Sequence, residues 1–293
     1  MSGWNRGWRM SVLALAVACG DSEGESGDDG NGDSGSPIDV SDAGMRGDAS
    51  VDGGNNRRDS GRDSSMTNNN GDGGGEPEDC DGLKARIRDF NPATHPDFEK
   101  FSGSGATTGL LQSTLGAGAK PVFAMSKGQI TSADSFASWY TDVPGTNLGF
   151  DISLPLTEMP NMPNSFEFND STFFPIDNMG FAVATPAEPM SNGHNFNFTT
   201  EVHTKFTYRK GDNFMFNGDD DLWIFVNGKL ALDLGGLHSA LDGTIDFDSK
   251  AQELGIVVGG TYTMDIFHAE RHTTASNFRI RTNIECFKDV FVM

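Results

Sequence analysis

The chain has 293 residues, of which 36% are hydrophobic and 22% charged, and its formal net charge is −21 at pH 7. That acidity argues against nucleic acid as a partner, because no basic stripe exists to neutralise phosphates. Past the N-terminus no segment has the ~20 apolar residues that a membrane-spanning helix needs.

Residues 1–18 read as a secretion signal. Arg6 and Arg9 precede a short apolar run, Met10 to Ala18, which at about nine residues cannot span a bilayer. The run ends in Ala16-Val17-Ala18-Cys19 and resembles a bacterial lipobox, with Ala16 where leucine is usual. The expectation is an exported, outer-membrane or cell-surface lipoprotein that touches the membrane only through a lipid on Cys19. An ordinary secretory signal cut after small residues remains the alternative.

Residues 19–79 are Gly, Asp, Ser and Asn with little to bury. From residue 20 to 79 there are sixteen acids against four arginines, a net of −12. High charge with few apolar side chains cannot offset chain entropy, so this stretch is expected to be a disordered, self-repelling tether. Its Asp-Gly-Asn runs lack the spacing and the bidentate glutamate of a calcium loop.

Cys80 and Cys286 bracket what remains. In an oxidising compartment two such thiols most simply form a disulfide, with two unpaired thiols as the alternative. No CxxC or Cys/His zinc spacing occurs. Residues 80–293, 214 in number, suit a single domain.

The pattern within it is all-β, an antiparallel β-sandwich. Residues 84–195 alternate weakly and carry many prolines, which leaves strand positions there open; helical periodicity is confined to Phe136–Tyr140. From Phe196 to Tyr208 the even positions are apolar or Thr and the odd ones mostly polar, so one face is expected in a core and the other in water. Leu222–Val226 is apolar on both faces, as in a central strand. Asn227-Gly228 is the pair favoured in a type I′ turn, and Leu230, Leu232 and Leu234 are expected to return on one face. Thr261–His268 alternates around Tyr262, Met264 and Ile266. Phe278, Ile280, Thr282 and Ile284 point in from a last strand, with Arg279, Arg281 and Asn283 out.

Asp219-Asp220-Asp221 precedes the buried hairpin. Consecutive carboxylates there repel one another unless a cation or donors compensate, and oxygen-only ligands outside the cell favour calcium. Read alone, the run is equally consistent with acids that cap a strand because they prefer water.

Gly218–Leu230, continuing through Asp233-Leu234-Gly235-Gly236-Leu237-His238, resembles the signature of the fibro-slime domain. Phe267–Phe278 and His194-Asn195-Phe196 do so too, with weaker matches from Arg88-Asp89-Phe90 and His95–Phe98 through Phe173-Phe174-Pro175. That family is similar to the sugar-binding β-sandwich of anthrax protective antigen, yeast flocculins and adhesins. The resemblance implies calcium held by two aspartates joined through a cis peptide, which fall on Asp219 and Asp220, with Asp221 where relatives often have glycine. It also implies a metal-binding asparagine before the last strand, Asn277. Asp221, Glu270, Arg271, His272 and Ser276 are then expected to line the ligand.

His268-Ala269-Glu270-Arg271-His272 is no zinc-protease motif, since the glutamate is one place late and the segment ends a strand. Its bland alternative is a Glu270–Arg271 ion pair that orders the loop. No catalytic residues are assigned, and the chain is not expected to be an enzyme. The expected function is calcium-dependent recognition of a polysaccharide or glycan. A coat or matrix protein-interaction domain and a glycan hydrolase are the alternatives.

Overall fold

The computed structural model describes Cys80, residues 82–183 and residues 191–290. The secretion signal, Cys19 and the tether over 19–79 lie outside the described residues.

The strands are β1 (Leu83–Phe90), β2 (Asn147–Leu154), β3 (Thr157–Met159), β4 (Met162–Asp170), β5 (Phe198–Thr207) and β6 (Asn213–Gly218). They continue as β7 (Asp221–Val226), β8 (Lys229–Leu234), β9 (Leu241–Asp246), β10 (Thr261–Glu270), β11 (Phe278–Thr282) and β12 (Lys288–Asp289). One antiparallel sheet runs β2-β1-β5-β10-β7-β8, with β12 pairing β5 beyond the reach of β1. The second runs β3-β4-β11-β6-β9. The chain is therefore the antiparallel β-sandwich that the strand-rich pattern predicts.

The main core lies between the sheets. Ile87, Phe198, Val202, Phe206, Ile224 and Ile266 from the larger sheet meet Phe214, Phe216, Ile245, Phe278 and Ile280 from the smaller. A second apolar layer covers the other face of the larger sheet. There Trp223, Phe225 and Phe267 pack under Leu110, Ile130, Phe136 and Trp139 from the segment between β1 and β2.

This extra layer corrects the expectation for Phe196–Tyr208. The even positions are buried as expected, but Asn197, Thr199 and Glu201 are buried too. Glu201 is no solvated side chain: it receives Arg88 at 2.6 Å and meets the His203 ring at 2.7 Å. Only Lys205 and Thr207, past the layer's edge, are exposed.

In the β7–β8 hairpin Asn227 and Gly228 both have positive φ, 52° and 72°, as a type I′ turn requires. Every residue of β7 is buried, as expected of a central strand. The register of β8 slips, however, between Ile224 and Phe225. Leu232 and Leu234 pack on the inter-sheet core, whereas Leu230 packs on the outer layer. One extra residue in a strand sends a side chain to the opposite face, so the three leucines do not share a side.

The helix near Phe136 is a single short element, α1 (Ala133–Ala137), begun by a Ser132–Ser135 capping box. A second helix, α2 (Phe247–Leu254), is not expected from apolar periodicity. It starts at Asp246, whose side chain accepts the Ser249 amide, and stops at Gly255 with φ 71°, the conformation glycine supplies at a helix end. Cys80 and Cys286 form a disulfide across 206 positions of sequence.

Candidate functional site

Three of the connections that cross between the sheets at one end of the sandwich meet at one place. Asp219 and Asp220 carry the chain from β6 to β7, Gly235–Ala240 from β8 to β9, and Arg271–Asn277 from β10 to β11. Pairing fixes them side by side, since Gly218 lies opposite both Phe278 and Leu241 and Asp221 lies opposite Ala269. Gly218 is needed where these chains converge, because a side-chain carbon there would meet the Phe216 ring at 2.7 Å.

The Asp219–Asp220 peptide bond is cis, as the resemblance implies. Asp219 accepts the Asn277 amide at 2.5 Å and the Asn277 side-chain nitrogen at 3.0 Å. Asp220 accepts the Arg271 amide at 3.1 Å and the His238 amide at 3.4 Å. Burial raises both carboxyls, with the Asn277 donors opposing the rise at Asp219; Asp220 is pushed up to about 6, with Asp221 adding to the push. Asn277 stands beside Asp219 as expected, but it presents its nitrogen, so a metal-ligand role requires the amide oxygen to turn toward the ion.

Four of the expected ligand-lining residues point inward instead. Asp221 is buried, accepting the Gly236 amide at 2.5 Å and Arg271 Nε at 2.6 Å. Arg271 is also fully buried: it donates to the carbonyls of Asp97 and Gln129 and lies 4.8 Å over the Trp139 ring. Its ion-pair partner is Asp221, not the adjacent Glu270. Ser276 is buried and donates to the Phe173 carbonyl at 2.8 Å. The cause is strand parity. Asp221 and Arg271 face the outer layer, which the sequence pattern did not reveal, and a buried guanidinium needs the carboxylate that Asp221 supplies.

Glu270 is the fourth. It is fully buried, with the Ser276 hydroxyl and the Asp220 carboxyl as the polar side-chain groups beside it. Burial, then the charges of Asp220 and Asp219, push its carboxyl well up.

His272 keeps its expected place. With Asp219, Asp220, His238, Ser239 and Thr274 it lines an open cleft of about 280 Å³. Glu99 braces that rim by accepting the Thr273 amide at 3.0 Å. His238 and Glu99 carry roles that sequence reasoning did not assign. His238 at least ends one of the two long signature runs, whereas Glu99 has no motif around it. The rings of His238 and His268 have both nitrogens within hydrogen-bond reach of oxygens, while His272 bonds the Thr273 carbonyl through Nδ1 and holds Nε2 4.0 Å from Glu99. Among the described residues no three acidic, histidine or cysteine side chains enclose a metal by themselves. A cation here would draw further oxygens from backbone or ligand.

Residues 176–287 match the PA14 domain, a stretch that contains Asp219, Asp220, Glu270 and Asn277. The chain is 39% identical over 211 residues to protein psiQ of Dictyostelium discoideum, covering 69% of this chain and 21% of that protein. It is 38% identical over 213 residues to protein psiC of the same organism, covering 69% and 40%. The chain thus spans between about a fifth and two fifths of the length of these curated relatives. Among solved structures it is similar to the epithelial adhesin 6 A domain from Candida glabrata in complex with Galb1-3GlcNAc, with a TM-score of 0.32, 12% identity, and coverage of 74% and 90%. A PA14 sugar-binding domain from an RTX adhesin gives 0.29 and 9%, with 71% and 96% covered.

Proposed function

We propose that this PA14-type sandwich is a calcium-dependent glycan-binding module of the fibro-slime kind, carried by an exported protein anchored through Cys19. The observation that carries the reading is the junction of the three sheet crossings, which presents Asp219 and Asp220 together on an open polar cleft. The donor chemistry fits a hard cation: the side chains offered by Asp219, Asp220 and Asn277 are carboxylate and amide. Asp219 and Asp220 would hold the ion, with Asn277 after an amide turn. Bound calcium supplies a positive centre for pairs of sugar hydroxyls.

The chain's own groups provide the rest of the recognition. Ser102, Ser239, His272 and Thr274 line the cleft and suit hydrogen bonding to a polyhydroxylated ligand. The Cys80–Cys286 bond supports export, since disulfides persist in oxidising compartments. We read the module as a binder that releases its ligand unchanged.

The test is calcium titration of the full chain by calorimetry, with glycan-array binding in calcium and in chelator. Calcium-dependent glycan signal, lost in Asp219→Ala and Asp220→Ala, supports the reading. Absence of both calcium and glycan binding would return the chain to the matrix-protein alternative, and turnover of a bound polysaccharide would make it a hydrolase.

A further inference from the structure

Lys120 and Asp142, from the segment that forms the outer layer, edge a groove of about 670 Å³ whose floor is β1, β2 and β5. That volume lies within the roughly 300–1,000 Å³ of ligand pockets. The groove shares no lining residue with the Asp219–Asp220 cleft. His203, which lines it, pairs with Asp265, whereas Phe198 pairs with Glu270 at the crossing. Five strand residues separate the two pairs, roughly 17 Å at ~3.4 Å per residue.

Strand pairing builds the floor. Lys84, Arg86 and Arg88 alternate along β1 onto one face, with Ser153 opposite Lys84, and Asp151 and Glu201 flanking Arg86 from β2 and β5. Beneath them lies a buried tier. Arg88 Nη1 donates to Glu201 at 2.6 Å, and the His203 ring spans Glu201 and Asp265 at 2.7 Å on each side. That tier holds the more exposed groups. Arg88 Nε donates to Asp142 at 2.8 Å, Lys120 donates to Glu201, and Arg86 bridges Asp142 at 2.7 Å and Asp151 at 3.1 Å. Asp289 and Val290 add a further wall. The Val290 amide donates to the His203 carbonyl at 3.3 Å, and the Cys80–Cys286 disulfide ties the residues just ahead of β1 and β12 together.

Stability does not account for this arrangement, because a buried ion-pair network is often no better than apolar side chains of the same volume. What the network provides is a set of donors and acceptors fixed before a ligand arrives. Asp142 and Asp151 are 56% and 81% exposed, and exposed ion pairs are weak, so a ligand hydroxyl can exchange into them at small cost. The carboxylates of Asp142, Asp151 and Asp289 confront an incoming anion, and the neighbouring lysines and arginines confront a cation. Apolar lining is confined to Ala85, Ile152 and Val290, too little for the large side chains by which peptides anchor. A neutral polyol, whose hydroxyls both donate and accept, matches this lining.

We propose that the groove is a second saccharide site, one that needs no metal and holds a neutral oligosaccharide segment through Lys84, Arg86, Lys120, Asp142 and Asp151. It goes beyond the calcium reading and does not depend on it. Two separate sites let one chain bridge two glycan strands, so that tethered copies gain avidity on a polysaccharide surface.

The experiment measures binding to the full oxidised chain in chelator, at low and at high salt. The probes are neutral oligosaccharides of the cello, xylo, manno and chito series, with oligogalacturonate as the anionic control. At least one neutral series is expected to bind with little salt dependence. Arg86→Gln and Lys120→Gln should each weaken it at least roughly tenfold, as loss of a charged hydrogen-bond donor does. Asp219→Asn should leave it within about twofold, because distant sites act independently. Asp151→Asn, at a side chain 81% exposed, leaves folding least disturbed and should weaken the same probe. The inference is overturned if no neutral series binds in chelator, or if chelator-resistant binding survives all three groove variants. It is also overturned if only oligogalacturonate binds, and less tightly in high salt, which makes the groove an anion site. Chelator-resistant binding without any calcium-dependent binding upholds the groove and sinks the Asp219–Asp220 reading; the reverse result sinks the groove alone.

Discussion

Asp220 should report its surroundings through pH. Burial, helped by Asp221 and Asp219 and opposed by the Arg271 amide, pushes its carboxyl from 3.8 to about 6. An acid whose folded pKa is raised leaves stability intact below its unfolded pKa and withdraws it as pH rises through the folded one. In chelator, Asp220→Asn should therefore be more stable than wild type above pH 6 by about 3 kcal/mol, and indistinguishable near pH 3. With saturating calcium the order should reverse if Asp220 holds the ion as proposed. Urea titrations at pH 3.5 and 7.5, each with calcium and with chelator, check both signs. Asp221 illustrates how far sequence carries at this scale. The triple aspartate identifies the site, but the three side chains look alike in sequence. Only the packing of Arg271 against Trp139 shows that the third one serves the interior.

At the scale of the elements, the outer layer decides how well the site is held. Trp139 is fully buried, bonds Asp97 Oδ2 at 3.1 Å, and lies under Arg271. Trp139→Ala should cost about 3–5 kcal/mol in chemical denaturation. It should also loosen the Arg271 amide on Asp220, and so weaken calcium binding without touching the cleft. A variant with wild-type calcium affinity would uncouple the layer from the site. The strands that form the site were legible in sequence because β5, β7, β10 and β11 carry period-two alternation or unbroken apolar runs bounded by turn residues. The layer was not legible. Its Leu110, Ile130, Phe136 and Trp139 are spaced irregularly along a segment whose regular structure is limited to short turns of helix, so no period marks them as core. The same blindness explains the misplaced Glu201 and Arg271, which belong on an exposed face only if nothing covers it. The bulge that turns Leu230 over also has no local signal, because one extra residue leaves the composition of β8 unchanged.

For the molecule as a whole, the disulfide dominates the unfolded state. Cys80 and Cys286 are 206 positions apart, and a closed loop of that length is worth ~5 kcal/mol by the chain-entropy account. Cys80→Ser with Cys286→Ser should lower stability by about that amount at equal denaturant slope per exposed area, as measured in urea with the wild type oxidised. The same bond has a mechanical consequence. Tension applied along the backbone on either side of the folded part enters at one cysteine and leaves at the other, passing through a single covalent link. Once the Lys288–Asp289 pairing to β5 has peeled away, the strands between them carry none of that load, and roughly 700 Å of chain, at ~3.4 Å per residue, is withheld from extension. Pulled by its two ends, the oxidised molecule should lengthen only through its flanking segments. Adding reductant under load should release the hidden length, a change that force spectroscopy reads directly.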